Sequence, residues 1–250
     1  RAGGDKPSLT GSVEARTAAL RETIGELEAF SYSVSHDMRA PLRAMQSFSR
    51  ILAEECSEQL DPTGKEYIRR IAAGAERLDG LIQDVLTYSR VARTDLPLEP
   101  LDLGALLRDI IETYPSFQPP NARVELLGSF PAVEAIPAVL TQCISNLLGN
   151  AVKFVEAGVT PRVRVWAEDR PDGGLRLHFK DNGLGIEAES HEAIFGIFQR
   201  VSKNYEGTGI GLAIVKKGAE RLGGNVGLVS VPGQGSTFWL DLRKAGTGGE

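Results

Sequence analysis

The chain has 250 residues, 42% apolar and 24% charged, with a net charge of −5 from 28 basic against 33 acidic side chains. This is the composition of a folded globular protein rather than a disordered one, with length for one large or two medium domains. The acidic balance argues against a nucleic-acid binder held by phosphate attraction, and no apolar run reaches the ~18–20 residues of a membrane-spanning helix.

Cys56 and Cys143 lie far apart and in no CxxC spacing. They read as two reduced thiols of a soluble, cytoplasmic-type chain. The opening stretch 1–11 and the closing stretch 245–250, rich in glycine, are expected to be flexible ends.

From Leu20 onward apolar residues recur in steps of three and four: Leu20, Ile24, Leu27, Val34, Met38, Met45, Phe48 and Leu52. A mean spacing near 3.5 is the seam of a coiled coil or bundle rather than the alternation of a strand. With Ile24 at heptad position a, His36 falls at f, farthest from the seam, and Asp37 at g. His36 therefore points at water or at whatever docks from outside. Pro41 removes a backbone hydrogen bond just beyond it and is expected to kink the helix.

Asp61 followed by Pro62 reads as an N-cap and first helical position. Ile68, Ile71, Ala75, Leu78, Ile82 and Val85 then continue the rhythm. The spacing predicts two long helices joined by 54–59. Two such helices expose a long apolar stripe, and a two-fold dimer forming a four-helix bundle is the simple way to bury it. The proline-bearing stretch 94–103 reads as a linker, with the domain boundary near 92–100.

In the second half, 162–168, 175–181, 225–231 and 236–242 carry the β-branched and aromatic pattern of strands. Segments 138–158 and 207–224 have helical periodicity and end in glycine. Without regular strand–helix alternation, the expected architecture is an α+β sandwich, its mixed sheet covered on one face by helices.

Four elements here can carry chemistry. "NLLGNAVKF" places Asn146 and Asn150 one helical turn apart, with Lys153 nearby. Amide oxygens suit Mg²⁺, which retains waters and takes further ligands from nucleotide phosphates. "DNGLGI" ends a strand in Asp181, followed by Gly183 and Gly185. "EGTGIGL" is a glycine-rich turn opening a helix, where free N–H groups can hold phosphates. "GQGSTF" is a tight turn entering the last strand. Each also has a plain structural reading: Gly207, Gly209 and Gly211 as turn and packing residues, Asn150 as a buried amide, Asp181 as a strand-end cap. His178 and His191 read as structural or solvated.

Taken in order, "SVSHDMRAPLR", "NLLGNAVKF", "DNGLGI", "IFGIFQRV" and "GTGIGLAIVKK" resemble the H, N, first glycine, phenylalanine and second glycine boxes of sensor histidine kinases. The likeness is to the phytochrome-like and PAS-linked group and runs from about Leu20 to Leu242. It implies a signalling helix at 12–30, continuous with a dimerisation and phosphotransfer domain at 20–92. A linker at 93–101 and an ATP-binding domain at 102–244, like that of gyrase and heat-shock chaperones, follow.

By the same resemblance His36 is the phosphoacceptor, and Asp37 orients and deprotonates it. Asn150 is the Mg²⁺ ligand, with Asn146 and Lys153 near the phosphates of ATP. Asp181 accepts the adenine amino proton, and Gly183, Gly185 and Ile186 line the base. Gly207, Thr208, Gly209, Gly211 and Leu212 meet the phosphates and hinge a short lid at 199–206. Phe195 and Phe198 anchor that lid, and Arg200 belongs to the same nucleotide-binding set. The implied partners are a second copy of the chain and the receiver domain of a response regulator, with a sensor domain upstream that this chain lacks and no nucleic acid.

Two positions depart from relatives of the family. Related ATP hydrolases carry a glutamate where this chain has Asn146, which argues for transfer to a protein nucleophile rather than to water. Family members that also dephosphorylate their partner usually carry Thr or Asn where this chain has Ala40, so weak phosphatase activity is expected. A gyrase-type ATPase clamp and a catalytically silent nucleotide-sensing dimer are the alternative readings of the same motifs.

Overall fold

The computed structural model describes residues 37–93, 96–200, 205 and 207–246. His36, the segment 12–30, the seam positions Leu20 to Val34 and most of the expected lid lie outside the described residues. Two compact units divide the chain between Leu86 and Thr87.

The first unit is a helical hairpin. Helix α1 (37–55) runs without interruption through Pro41. A 3-10 turn at Ser57–Gln59 leads to α2 (Pro62–Arg93). The start of α2 is set as the sequence predicts: the Asp61 carboxylate accepts the Gly64 N–H at 2.6 Å, with Pro62 at the first helical position.

Leu42, Ala75, Ile82 and Leu86 form the buried cluster between the helices. Met38, Met45, Phe48, Leu52, Ile71 and Leu78 stay exposed, Phe48 at 66%. The single seam expected from periodicity is thus two faces, because two helices bury only the side that each turns to the other. On the wet side of α2, Arg69 and Arg70 grip Glu66 at 2.7 Å each and hold its carboxyl down to about 2.

The second unit is built on a mixed sheet of seven strands: β1 (Glu99–Leu101), β2 (Arg123–Leu127), β3 (Val133–Ala135), β4 (Arg162–Asp169), β5 (Leu175–Asp181), β6 (Val226–Ser230) and β7 (Ser236–Lys244). The order is β1-β3-β7-β5-β4-β2, and β6 pairs β7. Only the β2–β4 pairing is parallel among the described strands.

Strand β5 shows how sequence sets the layers. Leu175, Leu177, Phe179 and Asp181 are buried, while Arg176, His178 and Lys180 alternate to the other face. Helices α3 (Leu103–Thr113), α4 (Pro137–Lys153) and α5 (Gly211–Arg221) supply the facing core through Leu107, Ile110, Leu140, Ile144, Leu147 and Ile214. Asp102 caps α3 by accepting the Ala105 N–H at 2.8 Å.

Two helix limits differ from expectation. Helix α4 stops at Lys153, and Gly158 (φ 82) closes the turn beyond it. Helix α5 starts at Gly211 rather than at 207, because Gly207 (φ 151) and Gly209 (φ 76) hold conformations that no right-handed helix contains.

Candidate functional site

Asp181 is the last inward residue of β5, so the strand's alternation carries its carboxylate into the core, 8% exposed. Its Oδ1 accepts two backbone N–H groups, from Gly183 at 2.8 Å and Ser236 at 2.9 Å. Oδ2 has no partner among the described residues. Burial pushes the carboxyl's pKa up, and the two N–H bonds only partly offset that.

The loop that follows is clamped from both sides. Leu184 donates its N–H to Phe154 O at the end of α4, at 2.9 Å, and Gly233 donates to Leu184 O at 2.7 Å. Gly185 (φ 71) lies against the Val231 carbonyl and Gly183 against that of Phe154, so closely that a Cβ at either place would overlap backbone. Ile186 donates its N–H to Ser230 Oγ at 2.9 Å. Asn182 faces away, bonding Arg162 N at 2.7 Å and Thr160 O at 3.2 Å, and His191 meets Ile186 O at 3.1 Å. These two are structural struts.

Helix α4 carries the second group of candidates. Asn146 and Asn150 lie one turn apart and are half-buried, while Lys153 is exposed at the helix end. A Cβ placed on Gly211, the first residue of α5, would lie 3.5 Å from Asn146 Oδ1. One placed on Gly207 would lie 3.3 Å from Lys153 Nζ. The glycine turn 207–211 therefore runs along the face of α4 that bears the amide and the lysine. Asn146 Nδ2 is buried and has no hydrogen-bond partner among the described residues.

The lid region is described in part. Phe195 is half-buried, whereas Phe198 is 62% exposed and takes a left-handed backbone, φ 62. Gly209 packs on the backbone of Phe198 and Gln199. Arg200 donates to Tyr205 O at 2.6 Å, and the Tyr205 hydroxyl donates to Val155 O at 2.9 Å, its ring 5.5 Å from that of Phe154. Thr208 and Leu212 are half-buried beside the turn. Asp37, exposed on α1, belongs to the other unit.

The structure thus joins Asp181 with the 183–186 loop, Asn146 with Gly211, and Lys153 with Gly207, all around the C-terminal end of α4. Ser230 lies in none of the sequence motifs, and the bonds that Tyr205 and Ser236 make, to Val155 O and Asp181 Oδ1, join residues 50 and 55 positions apart. The site presents a buried acceptor edge, an unpartnered buried amide, a lysine and the N–H end of a helix. An orphaned N–H donor beside such a helix end fits phosphate oxygens, and the asparagine oxygens fit a hard divalent cation.

Comparison with known proteins gives the same picture. Residues 26–93 match the His Kinase A (phospho-acceptor) domain, and residues 135–246 match the histidine kinase-, DNA gyrase B- and HSP90-like ATPase. The cyanobacterial phytochrome B of Nostoc sp. is 33% identical over 232 residues, 90% of this chain and 30% of that protein. The sensor histidine kinase AruS of Pseudomonas aeruginosa is 36% identical over 267 residues, 98% of this chain and 26% of that protein. A full-length crystal structure of ShkA in complex with AMPPNP superimposes with a TM-score of 0.64 at 30% identity, over 86% of this chain and 46% of that one. The chain spans less than a third of the length of these curated relatives.

The two family matches identify the helical hairpin as a phospho-acceptor domain and the α/β unit as a histidine kinase-, gyrase B- and HSP90-like ATPase domain. The chain belongs to the sensor histidine kinases of two-component signalling, of which it is a transmitter core.

Proposed function

We propose that this chain uses ATP to phosphorylate His36 and then passes the phosphoryl group to an aspartate of a response regulator's receiver domain. The observation that carries the reading is Asn146, a half-buried amide facing the N-terminus of α5. A carboxylate at that place can activate water, and an amide cannot act as a base. With water left unactivated, the acceptor is a protein nucleophile.

In this reading Asp181 Oδ2 accepts from the adenine amino group, and Gly183, Gly185 and Ile186 let the base approach the backbone. Asn146, Lys153, Thr208 and the α5 N-terminus hold the phosphates, with Leu212, Phe198 and Arg200 bordering the nucleotide. Asn150 is the ligand for Mg²⁺, which supplies charge neutralisation at the phosphates. One ring nitrogen of His36 attacks the γ-phosphorus, and the bond from that phosphorus to the bridging oxygen breaks as ADP leaves. Asp37 accepts the hydrogen bond of the other ring N–H, fixing the tautomer and taking up the proton that the new phosphohistidine releases.

The functional limits follow the sequence reading: 20–92 for the bundle, 102–244 for the nucleotide domain, and 12–30 as the helix through which an upstream sensor acts. The exposed stripe of Met45, Phe48, Leu52, Ile71 and Leu78 is the surface that a second copy covers. Ala40, with no side chain to orient a water, leaves dephosphorylation of the regulator weak. Among the described residues no helix is long and apolar enough to cross a membrane.

The test is label transfer from γ-labelled ATP. Wild type gains acid-labile, base-stable label and His36→Gln gains none. Label persisting in the variant overturns the assignment of His36, and label absent from both supports a silent nucleotide-binding dimer.

A further inference from the structure

One hydroxyl outside every motif considered so far holds the base-side loop together. Ser230, the last residue of β6, accepts the Ile186 N–H at 2.9 Å, lies 2.9 Å from Ser236 Oγ and 3.1 Å from the Gly235 carbonyl. These groups come from two separate segments, the loop after β5 and the turn before β7. A single proton assignment satisfies all four. Ser230 donates to Gly235 O and accepts from both Ile186 N–H and the Ser236 hydroxyl, so its donor and both acceptor positions are filled.

The consequence reaches Asp181. The Ser236 N–H is one of the two bonds that hold Asp181 Oδ1, and Gly235 is so close to the Asp181 carbonyl that a Cβ there would overlap it. The other bond comes from Gly183, three residues before Ile186. Ser230 thus ties together the two backbone segments that aim the Asp181 carboxylate. Other links between them are backbone contacts, Gly233 N–H to Leu184 O at 2.7 Å and Gly185 against Val231. Ser230 contributes the side-chain link at the Ile186 end.

We propose that Ser230 is a positioning residue for adenine recognition: it holds the 183–186 loop against the 235–236 turn so that Asp181 Oδ2 keeps its place as an acceptor. The inference rests on the nucleotide reading of Asp181 given above. Ser230 touches no reacting atom. Its removal therefore acts on affinity and on base discrimination, and the rate at saturating ATP is left within about twofold of wild type.

The test uses the whole chain with ATP and with inosine triphosphate, which carries an oxo group where ATP has the 6-amino group. In Ser230→Ala the KM for ATP rises about tenfold, as for loss of one part-buried hydrogen-bonding group. The KM for inosine triphosphate changes little, so the preference between them shrinks. Ser230→Thr, which keeps the hydroxyl, restores both. Equal loss for the two nucleotides, or failure of Thr to rescue, overturns the proposal by reducing Ser230 to a packing role. An unchanged KM for ATP in Ser230→Ala overturns it directly. If wild type binds neither nucleotide, the nucleotide reading itself fails, and with it this inference.

Discussion

Gly218 of α5 meets Cys143 of α4 with no room between them: a Cβ built on the glycine would overlap the cysteine sulfur. The same Cβ would approach Val139 at 3.3 Å. This contact sets how closely the two helices approach, and α4 carries Asn146 one turn further on. Gly218→Ala therefore overpacks the interface, at a cost of about 1–3 kcal/mol. Urea denaturation of Gly218→Ala, Cys143→Ala and the double variant checks it. The double variant is expected to recover most of the loss, because removing the sulfur makes the space that the new methyl needs.

The same burial silences Cys143 chemically. Its side chain is enclosed and only weakly bonded, at 3.8 Å, to Val215 O, and desolvation pushes the thiol up to about 12. Cys56, in the turn of the hairpin, is partly exposed. At pH 8 a thiol-reactive disulfide reagent is expected to titrate one cysteine rapidly in the native chain and two after denaturation. Cys56→Ser removes the rapid phase.

What the sequence made legible follows from the length of each signal. Strand β5 alternates over seven residues and its ends are read correctly, as is the α2 start from Asp61 and Pro62. Strands β1 and β3 have three residues each, too short to show a period of two, and no earlier signal marked them or α3. In the hairpin, periodicity could not separate Leu42, which turns inward, from Met45 and Phe48, which do not. Heptad spacing reports apolar faces but not which partner covers each. At the site, Asp181, Asn146 and the glycines announce themselves by local motif. Ser230 does not, because Ile186, its partner, lies 44 residues away and only the sheet brings them together.

Asp241, 1% exposed on β7, is the hub of the sheet face opposite the helices. Arg176 grips it with two bonds, 2.7 and 3.0 Å, and Arg170 adds a third contact at 3.1 Å. The Arg176 guanidinium also lies 3.8 Å from the centroid of the Trp239 ring. Asp241→Asn takes the counter-charge from Arg176 and leaves Arg170 with Asp172 alone, and a loss of about 2–4 kcal/mol is expected. Both tryptophans of the chain, Trp166 and Trp239, alternate onto this face, so their fluorescence follows the unfolding directly. Arg176→Met in the Asp241→Asn background is expected to cost less than the two changes summed.

Asp181 is expected to set the pH dependence of the proposed nucleotide site. Its carboxyl, raised above 3.8 by burial, binds its proton more tightly in the folded chain than in the unfolded one. Across the window from 3.8 up to that raised value the folded state carries more protons, so ligand-free stability falls as pH rises through it. Nucleotide binding is expected to run the other way, because the ionised carboxylate is the better acceptor for an amino group. Affinity for ADP is expected to be level at neutral pH and to fall on acidification, with the onset above the ordinary aspartate range. Asp181→Asn keeps the size but places an amide where the acceptor edge stood. It is expected to weaken ADP binding by at least about tenfold and to flatten both pH profiles. Calorimetric titration with ADP across the acid range, run beside thermal denaturation of the ligand-free chain, measures the two slopes. Parallel rather than opposed slopes in wild type would remove Asp181 from base recognition.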